Sequence, residues 1–162
     1  MHNLKSITEE GIPRALEKVE RYRLLNEPAE AESICRDILA VDPNHQKALM
    51  MLILSLSDQF VSGMGESEAK IAIGKLKDDY KRTYYTGILN ERLAKAAITR
   101  GTFGSHFDAY EWLQEAIQAF EKAISIRPAG NDDAILRYNA CLRTIQRHNL
   151  TARPKEREPL LE

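Results

Sequence analysis

Apolar residues recur along this chain at intervals of three and four, and no alternating run is long enough for a strand. Ala, Leu, Glu, Lys, Arg and Gln fill the intervals, and all are good helix formers. The pattern predicts an all-α fold of seven helices. The first spans roughly 7–25, with Ile12, Leu16, Val19 and Tyr22 on one face. The second, 28–41, opens with Pro28 and carries the stripe Ala31, Ile34, Cys35, Ile38 and Leu39. The third, 44–58, is apolar nearly all round from Ala48 to Leu56, so it is either central or carries a binding surface. The fourth covers 66–77 and the fifth 79–100. Gly101-Thr102-Phe103-Gly104 then reverses the chain. Ser105 reads as the N-cap of a sixth helix ending near Ile126, with Asp108 completing an acidic capping box. The seventh, 132–148, places Ile135, Tyr138, Leu142 and Ile145 on one stripe. Beyond it, 149–162 is polar and contains Pro154 and Pro159, which predicts a tail without structure.

Three of these helices share an internal signature. The second has Ala31-x3-Cys35-x2-Ile38, the fourth Ala69-x3-Ile73-x2-Leu76 and the sixth Ala116-x3-Phe120-x2-Ala123. The second and sixth each lead into a proline, in Val41-Asp42-Pro43 and Ile126-Arg127-Pro128. A small residue lets two helices approach, a larger apolar one fills the space one turn later, and the proline ends the pair. On these residues the chain resembles the tetratricopeptide repeat family. Tyr22 stands where that family often has an aromatic residue, and Gly87 reads as the small residue of the fifth helix. The resemblance implies repeats at roughly 12–45, 46–78 and 79–128, stacked as a short right-handed superhelix, with 132–148 as the capping helix. The usual period is about 34 residues, whereas 38 separate Ala31 from Ala69 and 47 separate Ala69 from Ala116. The array is therefore degenerate, and its middle repeat lacks the terminal proline.

A stack of this kind implies a concave groove lined by the first helix of each pair, and a protein-binding scaffold. With Pro43 as the frame anchor, the first helix would present Leu16, Glu17, Glu20, Arg23 and Leu24 to that groove. Lys47, Met50, Met51, Leu54 and Asp58 would follow from the third. Lys81, Tyr84, Tyr85, Ile88, Glu91 and Arg92 would come from the fifth. Methionines and tyrosines rimmed by charges of both signs suit a short amphipathic segment with a few apolar anchors. Some members of the family clamp a terminal carboxylate with Lys, Asn and Arg. Here the corresponding positions are Leu16, Glu20, Met51, Lys81 and Tyr85, of which Lys81 alone fits, so that specificity is not expected.

Charge narrows the partner class. Twenty-three basic and 24 acidic residues give no global field toward nucleic acid or membranes. The exception lies between Ala134 and Lys155, where Arg137, Arg143, Arg147, Arg153 and Lys155 meet no acidic residue. Arg137, Arg143 and Arg147 are accordingly an alternative anion-binding set, for an acidic protein, RNA or a lipid surface. The N-terminus lacks an apolar leader, and the nine-residue run Ala48–Leu56 is too short for the ~20 residues of a membrane span. A cytoplasmic location follows as the expectation.

Candidate chemistry is sparse. Cys35 and Cys141 sit in apolar stripes and read as small core residues. His2, His45, His106 and His148 stand at no metal-binding spacing. Ser105, His106 and Asp108 contain triad letters, but capping explains them better. Asp78-Asp79 and Asp132-Asp133 open helices, where negative charge suits the dipole. Gly101 and Gly104 lack the neighbouring lysine of a phosphate loop. Phe103, Phe107, Tyr110 and Trp112 read as core packing that closes a lid over the third repeat; exposed, they would instead form a second contact surface or a homodimer interface. The expectation is a binding protein without catalytic residues, metal or cofactor, whose partner is a protein or peptide. Self-association stays open.

Overall fold

The computed structural model describes residues 1–155, and positions 156–162 of the expected polar tail lie outside the described residues. Within the described residues every regular element is helical. The helices are α1 (Ile12–Leu24), α2 (Pro28–Val41), α3 (Gln46–Ser57), α4 (Glu66–Gly74), α5 (Asp79–Arg100), α6 (Ser105–Ile126) and α7 (Asp133–His148). Short 3-10 turns precede α1 at Glu9–Gly11 and follow α3 at Phe60–Ser62. The fold is all-α.

Each helix packs on the next, and α1, α3, α5 and α7 also touch in succession. The most extensive pairing is α5 with α6, the two longest helices. Gly87 makes it close. A β-carbon there would stand 2.5 Å from Cε1 of Phe120, well inside the 3.5–4.0 Å at which carbons attract. The resulting second cluster gathers Ile88, Ala94, Ala97, Leu113, Ala116, Phe120 and Cys141. A first cluster joins α2, α3 and α4 through Cys35, Leu49, Ile53, Ala69 and Leu76, and a third holds Ile12, Leu16, Ile38 and Ala48 at the N-terminal end. The signature positions Ala31, Cys35, Ile38, Ala69, Leu76, Ala116, Phe120 and Ala123 are all within 1% of fully buried. That is why the spacing recurs.

Local chemistry sets the boundaries. The Asp78 carboxylate accepts from the Lys81 N–H at 2.8 Å and caps α5, and His45 Nδ1 accepts from the Ala48 N–H at 3.2 Å and caps α3. Without a proline, the turn after α4 is held by Gln46. Its side chain donates to the Lys75 carbonyl at 3.3 Å and accepts from the Lys77 N–H at 2.9 Å.

Several expectations shift. The first helix begins at Ile12 rather than near position 7, because Pro13 fits only a first turn. The fourth stops at Gly74, short of 77. Gly104, at φ 79°, takes the N-cap position of α6, and Ser105 is the first helical residue, its buried Oγ without a hydrogen-bond partner among the described residues. The buried stripe of α7 runs through Ala134, Tyr138, Cys141 and Ile145, since small residues let α7 sit closer to α6, and Leu142 is left exposed. Phe103 projects fully into solvent and is no part of a lid, whereas Trp112 touches both major clusters. After Asn149 the chain returns along α6. Leu150 is buried and Arg153 pairs with Asp108 at 2.5 Å and Glu111 at 3.3 Å, so residues 150–153 make specific contacts.

Candidate functional site

The face shared by α1, α3, α5 and α7 carries the site. Its helices are joined by ion pairs rather than by apolar packing alone. Lys47 on α3 meets Glu20 on α1 at 3.0 Å. Asp58, at the end of α3, takes Arg23 of α1 at 2.9 Å on one oxygen and Arg92 of α5 at 3.2 Å on the other. All three side chains of that bridge are between 19% and 27% exposed. Partial burial lifts such contacts above the 0.2–1 kcal/mol of exposed pairs, and one carboxylate between two guanidiniums favours both. Further along α5, the Glu91 carboxylate is 2% exposed; its Oε1 takes Lys95 at 2.7 Å and Arg137 of α7 at 3.4 Å. Its Oε2 is buried without a hydrogen-bond partner among the described residues. Glu91 thus ties the last helix to α5 across an otherwise thin contact.

The apolar part of the face is half-buried. Met50 and Met51 pack on the first cluster and Leu54 on the second. Tyr85 touches both, and burial pushes its hydroxyl up to about 12. Tyr84 stacks edge-on against Tyr85 at 5.3 Å and tilts over Phe120 at 5.9 Å. Burial also raises its hydroxyl, against the opposing pull of Arg137.

Two hollows open on this face. One, about 360 Å³, is lined by Tyr84, Asp133, Leu136, Arg137 and Ala140, and Leu136 is 64% exposed. The other, about 270 Å³, lies between Arg23, Asp58, Arg92 and Lys95, with Asn26, Ser57 and Thr99 at its edge.

The structure therefore brings together Glu20, Arg23, Lys47 and Arg92 through ion pairs, and Tyr84 with Tyr85. Lys81 stands at the start of α5, partly exposed. Glu17 does not join them; it lines a separate hollow with Pro13, Arg14, Lys18 and Arg21. Leu16 is buried in the third cluster and presents nothing. Of the basic set, Arg137 is held by Glu91, while Arg143 and Arg147 are exposed. Lys95, Asp133, Leu136 and Ala140 were absent from the sequence reading of the face. The Glu91–Lys95 spacing of four was a legible signal for the first. Leu136 was legible as an apolar residue of α7 lying off the stripe of Ile135, Tyr138, Leu142 and Ile145.

Among the described residues no three His, Cys, Asp or Glu side chains converge as a metal site, and no helix is long and apolar enough to cross a membrane. Searches of protein-family models, curated proteins and solved structures found no significant match.

Proposed function

We propose that this chain is a non-enzymatic scaffold of tetratricopeptide-like architecture that binds a protein or peptide segment along the face of α1, α3, α5 and α7. The observation that carries the reading is the continuity of that face. Ion pairs join its four helices in sequence, and half-buried Met, Leu and Tyr side chains line it between them. A preformed face of this kind avoids the ordering cost that a flexible surface meets on binding. The cytoplasm, where unpaired thiols persist, suits the two buried free cysteines.

Leu136 is the residue to perturb. It is exposed, so Leu136→Asp leaves the core intact while replacing the aliphatic wall of the hollow beside Tyr84 with a charge. Capture from a native lysate at physiological salt should yield a defined protein that binds the purified wild-type chain and loses affinity for Leu136→Asp. An unchanged affinity would refute the assignment of this face. The alternative, an anionic partner held by α7, is supported by the exposure of Arg143 and Arg147. It predicts binding that disappears steeply with salt, falls with Arg143→Gln/Arg147→Gln and ignores Leu136→Asp.

A further inference from the structure

The two hollows lie along one strip of α5 and differ in chemistry. Tyr84 lies eight residues before Arg92 and eleven before Lys95. At 1.5 Å per residue, about 12–16 Å separates them along the helix axis. At the Tyr84 end, exposed Leu136 and half-buried Ala140 of the facing helix supply the apolar lining, and Asp133 and Arg137 add one charge of each sign, Arg137 being held by Glu91. The Arg92 end holds three cations, Arg23, Arg92 and Lys95; Asp58 is the carboxylate among its lining residues, and Lys95 is also paired with buried Glu91 at 2.7 Å. Asp58 is already shared by two guanidiniums, and Nε of Arg92 is buried without an acceptor among the described residues. An incoming cation would meet repulsion at this end. A carboxylate would find donors here, whereas Asp133 and Arg137 offset each other at the other end. The excess of positive charge at the Arg92 end therefore places an acidic group of an occupant there and leaves its apolar group for the Tyr84 end.

Resting on the binding reading above, we infer that the occupant is an acidic amphipathic peptide segment. One of its aliphatic or aromatic side chains seats against Tyr84, Leu136 and Ala140. A Glu or Asp side chain about 12–16 Å further along reaches Arg23, Arg92 and Lys95. In a bound helix that distance corresponds to roughly eight to eleven residues, and in an extended segment to roughly four or five. The site differs from a terminal-carboxylate clamp, since its cations come from other positions and a side chain suffices.

The test pans a displayed random-peptide library, roughly 16 residues long so that a helical offset fits, against the full chain. Enriched peptides should pair an apolar anchor with Asp or Glu at one of those offsets. Glu→Gln in a synthetic copy should weaken binding about tenfold, the size of a charge-assisted contact. Arg23→Gln in the protein should produce a similar loss, and a wild-type melting curve for Leu136→Asp would confirm that its loss of binding is local. The peptide substitution needs no protein variant, so a fold defect in Arg23→Gln cannot decide the outcome. Enriched peptides that respond to Leu136→Asp but show no acidic preference would overturn the acidic occupant and leave the binding face standing. No enrichment, or binding indifferent to Leu136→Asp, would overturn both.

Discussion

Replacing Gly87 by alanine tests the packing that fixes α5 on α6. Alanine is the better helix former by about 1 kcal/mol, so an exposed Gly→Ala change in a helix would stabilise. Here the new methyl would stand 2.5, 2.7 and 2.8 Å from Cε1, Cδ1 and Cζ of Phe120. Relieving three such contacts requires about 1 Å of movement. The Phe120 ring has little room to give it, being fully buried and packed beneath Tyr84. Overpacking of a rigid core costs about 1–3 kcal/mol or more, and three simultaneous overlaps put this site at the upper end. After the propensity gain, a net loss of about 2 kcal/mol is expected, or about 4–8 °C in Tm for a chain of this size. Thermal melts by far-UV circular dichroism and urea titration read it directly. The decisive comparison is a double-mutant cycle with Phe120→Leu, which removes the ring edge. Singly, Phe120→Leu should destabilise by about 1–2 kcal/mol. Combined with Gly87→Ala, the pair should be at least about 1 kcal/mol more stable than the sum of the single effects. A raised Tm for Gly87→Ala, or strict additivity in the cycle, would refute the claim that this glycine exists for close approach.

Asp58→Ala leaves Arg23 and Arg92 facing each other without their shared carboxylate. It should cost about 1–2 kcal/mol by urea titration, less than a fully buried pair because the side chains are partly solvated; no change would remove the bridge as a fastener of the face. Asn149 ends α7 in the left-handed conformation at φ 50°, with the Leu150 N–H donating to the Ile145 carbonyl at 3.0 Å. Asn149→Ala should therefore lower stability by about 1 kcal/mol, while Asn149→Gly should not; equal losses would contradict the backbone argument. Alkaline pH should also unfold the chain early. Burial raises Cys35, Cys141 and Tyr85 to about 12 from ordinary values of 9.0, 9.0 and 10.0. The folded state thus favours the protonated forms, and that contribution is complete below the ordinary values and lost as pH rises from 9.0 toward 12. Tm should be flat near neutrality and fall across that window; a flat profile to pH 11 would count against thiol and phenol burial.

Much of the helix map was legible because the cues act within a few residues. Pro28 fixed the start of α2, Asp78 capped α5, and the Ala-x3-large-x2 spacing marked side chains that the structure buries. The same locality explains the misses. Ser105 looked like a cap, yet the chain reversal at Gly101–Gly104 put Gly104 in that position. Leu142 looked like core, yet α7 packs through Ala134 and Cys141, and which side of a helix meets its neighbour depends on how close the backbones come. The face had a similar fate. Met50, Met51, Leu54, Tyr84 and Tyr85 were readable as apolar side chains at helical spacing. That Asp58 joins Arg23 to Arg92, that Glu91 is buried beneath Arg137, and that Leu136 completes a hollow with Tyr84 were not. Each of these pairs a residue with one about 30–50 positions away. The helices and the small-residue seams between them follow from the order of residues alone, because backbone hydrogen bonding and side-chain period are local. Which charges meet and which apolar residues stay open follow from how separately formed helices are set against each other, which no local cue encodes.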